Sequence, residues 1–452
     1  MTARLHRRPA APATVLIRGA HALDPRTALD EPADVLVRDG EIAEIGAPGA
    51  LEAAAGAEAI DAEGAHLLPA FVDPHVHLRT PGQEHKEDIA TGTAAAAAGG
   101  YCAIAAMPNT DPVLDDATGL RALAQAAGHE AAVPTGFFAA ITRGLAGEEL
   151  TEMAELRDAG ALGFTDDGMP VSSAGMLRRA LQYQRLCGGV LALHEEDPAL
   201  SGSGVMHEGP VSAALGLAGI PPASESTMVA RDATLAAYED GRVHFQHLSC
   251  VGSVAALAAA RADGARVSGE VSPHHLTLTD EAVRSLDSRF KMNPPLRSEE
   301  DRLALLDALR SGTIEMIATD HAPHARHEKE VPFEAAPMGT TGLETAFAIL
   351  HTELVVPGSL PLGVLVERMT AGAALLEMAP PRIEAGAPAN LVLADLDEEW
   401  VAGEDGYASR SENCCFDGRR LRGRVLATIA AGVVAYRAQS LARRAAGAGA
   451  AA

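Results

Sequence analysis

Between Leu67 and Asp320 the sequence repeats one pattern eight times: a short apolar run, then a longer stretch with helical spacing. The apolar runs end at Asp73, Pro108, Thr142, Asp167, His194, His247, His275 and Asp320. Val190-Leu191-Ala192-Leu193 is typical of the runs. Ala90–Ala98, Met176–Leu186, Val254–Ala262 and Arg302–Leu309 are typical of the helical stretches. Strands that alternate with helices in this way pair in parallel, and eight of them close into a (β/α)8 barrel of the TIM type, an α/β fold. Chemistry in such a barrel sits at the carboxyl ends of the strands.

Both ends of the chain read instead as short strands and turns. Thr14–Gly19 and Ala33–Arg38 stand near the start, the second followed by the turn pair Asp39-Gly40, and Ala389–Asp395 and Val425–Gly432 stand near the end. Neither block is long enough to bury a core alone. Residues 14–65 and 383–437 are therefore expected to form one composite β-domain beside a barrel of residues 66–382. Residues 1–13 and 442–452 are expected to be disordered ends.

The formal net charge of −25 speaks against nucleic acid, whose phosphates need a basic surface. No run approaches the roughly 18 apolar residues of a membrane span. Met1–Thr14 has arginines but no apolar stretch of a secretory signal, so a cytoplasmic protein is expected. The five cysteines (Cys102, Cys187, Cys250, Cys414 and Cys415) show no CxxC spacing and read as free thiols.

The strand ends concentrate histidine and aspartate. His75 and His77 are one residue apart, so an extended strand projects both to one side. Strand four contributes Asp166 and Asp167, strand five His194, strand six His247 and strand eight Asp320. Four imidazoles and at least two carboxylates exceed the three or four ligands of a single tetrahedral ion. They suit two ions sharing a bridge, about 3.5–4 Å apart. Zinc fits this mixed set best, with manganese and iron left open. Adjacent strand residues point to opposite sides, so only one of Asp166 and Asp167 can bridge. The other caps the turn before Gly168 or supports a ligand. Arg79 is either a fork for an anion or a loop arginine, and Asn109 either a site residue or a turn residue. His274 and His275 read as ordinary residues of the mouth, His207 as a loop residue, and His321–Gly342 as a lid or a surface loop.

Asp73-Pro74-His75-Val76-His77-Leu78-Arg79-Thr80-Pro81-Gly82 resembles the first signature of the dihydroorotases, and Ala318-Thr319-Asp320-His321-Ala322-Pro323-His324 resembles the second. Met107–Thr110, Phe164–Gly168, His194–Asp197 and Lys291–Arg297 are similar to the bacterial class I members of that family, within the amidohydrolase superfamily. The resemblance runs from residue 14 to 437. It implies reversible, zinc-dependent cyclisation of N-carbamoyl-L-aspartate to (S)-dihydroorotate in pyrimidine biosynthesis, with two Zn2+ per subunit. Carried over residue by residue, it implies His75 and His77 on one zinc and His194 and His247 on the other. Asp167 would bridge, and Asp320 would complete the first ion's ligands and act as the catalytic acid/base. Arg79, Asn109 and His324 would hold the substrate carboxylate and Asn293 its ring, with His77, Met338 and Gly339 as further substrate contacts. The family usually has phenylalanine where Met338 stands. The resemblance leaves room for an aspartate transcarbamoylase partner and for a homo-oligomer.

Two rival readings bear on the same residues. Dihydropyrimidinases, hydantoinases and allantoinases bridge their metals through a carboxylated lysine after strand four. The three lysines here are Lys86, Lys291 and Lys329, none of them on that stretch. A non-catalytic scaffold would be expected to lose ligands, and all six are present.

Overall fold

The computed structural model describes residues 4–53 and 58–441. Its barrel is a ring of short parallel strands. Phe71–Val76 pairs with Tyr101–Ala106, which pairs with Thr135–Phe137. The fourth position is reduced to Phe164, bridged in parallel to Ala139 on one side and to Leu191 on the other. Leu191–Leu193, Val243–Phe245, Val267–Val271 and Met316–Ile317 follow in order. The ring closes where Val76 bridges His321. All six residues of Tyr101–Ala106 are buried, as expected of a strand covered by helices outside and by neighbours inside. The outer helices begin at side-chain caps. Asp88, Ser173 and Ser298 accept from the backbone N–H groups of Thr91, Met176 and Asp301, donors that a helix's first turn leaves unpaired.

The strands are shorter than the sequence pattern suggests, because polar side chains at the mouth take over backbone groups that a longer ladder would use. Asp166 accepts from the N–H groups of Ile141 (2.8 Å) and Thr142 (3.0 Å), well past the end of strand three at Phe137. Strand seven stops at Val271 rather than His275. Ser272 then caps a short helix, Pro273–Thr277, on which His274 and His275 lie.

The two ends of the chain meet in one eight-stranded sheet. Val15–Asp24, Leu29–Arg38 and Glu41–Gly46 pair antiparallel, as do Leu391–Val401, Arg420–Ala430 and Val433–Arg437. His66–Pro69 joins the halves, parallel to Val15–Asp24 and antiparallel to Leu391–Val401. Val15, Val35 and Ile42 from one end share a core with Ile383, Leu391 and Ile429 from the other. The joining strand runs almost directly into Phe71–Val76, so this sheet sets where the first barrel strand starts.

The expected disorder of residues 1–13 does not describe residues 4–13. Leu5 is buried, and His6 exchanges backbone hydrogen bonds with Thr135 at 2.9 and 2.8 Å. The chain start thereby pairs backbone groups of strand three that would otherwise be left open. Residues 1–3 and 442–452 lie outside the described residues. His207 is buried and belongs to a two-residue strand, Met206–His207, paired with Gly219–Ile220, rather than to an open loop. All five cysteines are free, with Cys414 and Cys415 buried. Among the described residues no helix is long and apolar enough to cross a membrane.

Candidate active site

Strand one carries His75 into the barrel mouth, and His77 follows one residue past its end. Asp167 lies at the centre of the cluster. Its Oδ1 is 3.4 Å from His75 Nε2, 3.8 Å from His247 Nε2 and 3.9 Å from His194 Nδ1. Its Oδ2 is 3.5 Å from His77 Nε2. Asp320 Oδ1 lies 3.1 Å from His77 Nε2 and 3.6 Å from His75 Nε2. Two overlapping triads, His75–Asp167–His247 and His75–His77–Asp320, each bring their ligand atoms within 4.8 Å of one another. His194 joins them through its Nδ1, 2.9 Å from His247 Nε2. All six residues are buried. Asp166 points away, to the strand-three loop.

The tautomers test whether a cation fits. His75 Nδ1 lies 2.6 Å from Glu270 Oε1 and His77 Nδ1 lies 2.9 Å from Asn109 Oδ1, so both Nδ1 atoms donate. In the neutral rings both Nε2 atoms are then lone pairs, and both face carboxylates. His75 Nε2 has no hydrogen-bond partner although it is buried. Only a proton or a metal ion relieves that opposition. Burial works against the protonated ring, yet the Asp167 and Glu270 charges push His75 well above its ordinary value. Burial likewise favours the neutral acid at Asp320, but the surrounding imidazoles hold it at about 2. Imidazole and carboxylate ligands that demand a shared positive charge fit a metal centre.

The support behind these ligands is dense. Glu270 spans His75 and His244, with Oε2 3.0 Å from His244 Nε2, and Ser268 Oγ lies 2.8 Å from His244 Nδ1. Asp73 accepts from Thr319 Oγ1 (2.6 Å) and from His75 N (3.1 Å), which locks strand one to strand eight below the cluster. Arg79, His247 and Asp320 hold φ angles of +56°, +30° and +48°. Backbone of this kind costs about 1–3 kcal/mol per residue and persists only where its surroundings hold it, commonly at functional sites.

Arg79 is buried beside the cluster. Its Nε donates to Pro323 O at 3.2 Å, and its two Nη atoms make no hydrogen bond to any described residue. Asn109, expected to meet the substrate carboxylate, lies against two residues of the cluster. Its Oδ1 is taken by His77, and its Nδ2 donates to Asp167 Oδ2 at 3.0 Å. His324 Nε2 donates to Met338 O at 2.8 Å, so the neutral ring offers its buried, unpartnered Nδ1 as an acceptor. Burial, with Arg79 and Lys329 nearby, pushes His324 down to about 3 and keeps it neutral. Asn293 Nδ2 donates to Glu196 Oε2 and lies 3.3 Å from His194 Nε2. Gly339 sits at φ +136°, where a Cβ would come within 2.9–3.0 Å of Ala322 and His324 Nε2, so only glycine fits between them.

Sequence reasoning missed Glu270 and Glu196. A lone carboxylate inside the buried run Val267-Ser268-Gly269-Glu270-Val271 was the available signal for the first. His274, read as an ordinary mouth residue, is buried with Nε2 unpartnered, whereas Ser272 Oγ and Pro294 O flank His275 at 2.7 and 3.0 Å.

Comparison with known proteins agrees with this geometry. The Dihydro-orotase-like family matches residues 64–253. The chain is 47% identical to the dihydroorotase of Pelotomaculum thermopropionicum, covering 93% of this chain and 98% of that protein. It is 44% identical to the dihydroorotase of Syntrophotalea carbinolica, covering 94% and 99%. Among solved structures, the L-hydantoinase (dihydropyrimidinase) of Arthrobacter aurescens superposes with a TM-score of 0.82 at 27% identity, covering 93% of this chain and 96% of that one. The dihydropyrimidinase of Brevibacillus agri shares the fold with a TM-score of 0.80 at 24% identity, covering 94% and 95%. With relatives this similar along nearly their whole length, and a metal-competent cluster at the expected strand ends, the chain belongs to the dihydroorotase family.

Proposed function

We propose that this chain is a dihydroorotase that interconverts N-carbamoyl-L-aspartate and (S)-dihydroorotate with gain or loss of water. The observation that carries the substrate is Arg79: a buried guanidinium whose terminal nitrogens are uncommitted, beside a metal-competent cluster. A planar fork of that kind matches a carboxylate, which dihydroorotate has and a neutral cyclic amide lacks.

Two zinc ions per subunit are the proposed complement. His75, His77 and Asp320 would hold one, His194 and His247 the other, and Asp167 both. When bound, such ions supply a Lewis acid for the ring carbonyl and lower the pKa of water. The protein's own residues do the rest. Asp320, kept ionised, takes the proton from the water that adds to the ring amide carbonyl. It returns that proton to the departing ring nitrogen as the C–N bond breaks; cyclisation is the same path reversed. Arg79 anchors the substrate carboxylate. Asn109 orients His77 and Asp167, and its remaining amide capacity would help Arg79 hold the substrate carboxylate. With an acceptor at Nδ1, His324 suits a ring N–H better than a carboxylate, and Asn293, Met338 and Gly339 line the remaining side together with His77.

Hydrolysis of dihydroorotate, followed on a preparation analysed for metal, tests this. Turnover that tracks zinc content is expected. A zinc-loaded protein that leaves dihydroorotate intact refutes it.

A further inference from the structure

Residues 409–415 leave the C-terminal sheet between Leu391–Val401 and Arg420–Ala430 and cross to the barrel mouth. Ser409 Oγ and Arg410 N donate to the fully buried carboxylate of Glu87, and Ser411 Oγ donates to Lys86 O at 2.6 Å. The strap is thus fixed to the loop that precedes the first barrel helix. Asn413, also buried, then meets both branches of the loop 321–342. Its Oδ1 accepts from His324 N at 3.0 Å. Its Nδ2 donates to Ala322 O and to Gly339 O, each at 3.1 Å. Its backbone O accepts from Thr340 Oγ1 at 3.1 Å. Both amide hydrogens and the carbonyl of one side chain are committed to three backbone groups, two on the branch leaving strand eight and one on the returning branch.

Those branches carry the residues that face the substrate, and they meet closely, since only glycine fits between Ala322 and His324 at position 339. Few other side chains can accept from one N–H and donate to two carbonyls in that fan. Asn413 holds His324 and Gly339 at a set separation without touching the reacting atoms. We propose that Asn413 is a positioning residue of the active site, which makes the C-terminal strap part of the substrate-binding architecture. This rests on the dihydroorotase reading above.

The test is steady-state dihydroorotate hydrolysis by full-length wild type, Asn413→Ala and Asn413→Asp, with metal content and Tm measured on the same preparations. Asn413→Ala loses all three side-chain bonds. It should raise KM about tenfold or more, the equivalent of about 1.4 kcal/mol and of one net hydrogen bond. Its kcat should fall less than threefold, and its metal content should match wild type. Asn413→Asp keeps the acceptor for His324 N but sets an anionic oxygen against two carbonyls, so its KM should rise further. If Asn413→Ala does not fold, Asn413→Ser, too short to reach both carbonyls, is judged by the same split. An unchanged KM in a folded variant of an active enzyme overturns the proposal. So does a fall in kcat and metal content at constant KM, the mark of a merely structural tether. A metal-loaded wild type inactive on dihydroorotate overturns the functional reading, and this inference falls with it.

Discussion

Replacing Arg79 by methionine tests the substrate assignment most sharply. The guanidinium is buried near the charges of Asp320 and Asp167, held through one nitrogen on Pro323 O, and its two Nη atoms are uncommitted. Methionine keeps much of the side-chain bulk and removes the charge. Truncating one partner of a buried, hydrogen-bonded charge pair costs roughly 2–5 kcal/mol. A middle value of about 3 kcal/mol corresponds to roughly 150-fold in kcat/KM. In wild type the same energy should appear as selectivity: dihydrouracil, which lacks the carboxylate, leaves that fork unpaired. Wild type should therefore prefer dihydroorotate over dihydrouracil by about 100-fold or more. In Arg79→Met the preference should shrink below about tenfold while metal content stays at the wild-type level, because Arg79 is not among the ligand atoms of either triad. The assay is kcat/KM for both substrates with metal analysis. Equal turnover of the two substrates by wild type refutes the carboxylate anchor, as does an Arg79→Met enzyme that keeps its preference.

Three further outcomes follow from the site and its surroundings. Asp320→Asn should retain the fold and most of the metal but lose about 10²–10⁴-fold in kcat; near-normal turnover would move the proton-transfer role elsewhere. His194→Ala should lower metal content by up to one equivalent while His75, His77 and Asp320 keep theirs, and full retention would remove His194 from the ligand set. Burial, with Arg297 alongside, pushes His207 down to about 4 from 6.5. Its unfolded form therefore binds the extra proton first, so stability present above pH 6.5 is lost as pH falls toward 4. Discounted for solvent screening, the loss is about 1 kcal/mol at pH 5. His207→Gln should narrow the Tm difference between pH 7 and pH 5, and an unaltered difference would place the acid sensitivity in other groups.

The barrel and the histidine–aspartate cluster were legible because each rests on short-range pattern. His75 and His77 lie one residue apart on an apolar strand, and the alternation of runs and helices needs no tertiary knowledge. What was not legible depends on contacts between distant parts of the chain. Strand geometry left Asp166 and Asp167 open and only the family resemblance singled out Asp167, because the N–H groups of Ile141 and Thr142 that occupy Asp166 are 25 and 24 residues away. The contacts of Asn109 with His77 and Asp167 carried no local signal, because those partners are 32 and 58 residues away. Asn413 carried no local signal at all, since its partners lie some 74 to 91 positions earlier. The chain start failed for a related reason. Residues 4–8 carry a single apolar residue, Leu5, among arginines and a histidine, but strand three had backbone groups to pair, and no local pattern shows that.

The dihydroorotases are the closer match in sequence, and hydantoinases superpose well at lower identity. A shared barrel does not decide between a charged and a neutral ring, because function resides in the site rather than in the fold. Three features of this chain do bear on it. The centre of the cluster is an aspartate, and no lysine exists between Lys86 and Lys291 to replace it. The remaining lysines serve the loops: Lys329 Nζ donates to Ser288 O, Lys291 O and Pro337 O, and Lys291 Nζ to Glu334 O. Among the described residues, Lys86 pairs with Glu328 at 3.1 Å and the buried Arg297 donates to Ser249 Oγ and Ile220 O, whereas both Nη atoms of Arg79 make no hydrogen bond. A neutral ring would leave Arg79 desolvated and unsatisfied, a cost that a carboxylate removes. On the proposed reading, the same side chain would strengthen binding of one substrate and penalise the other.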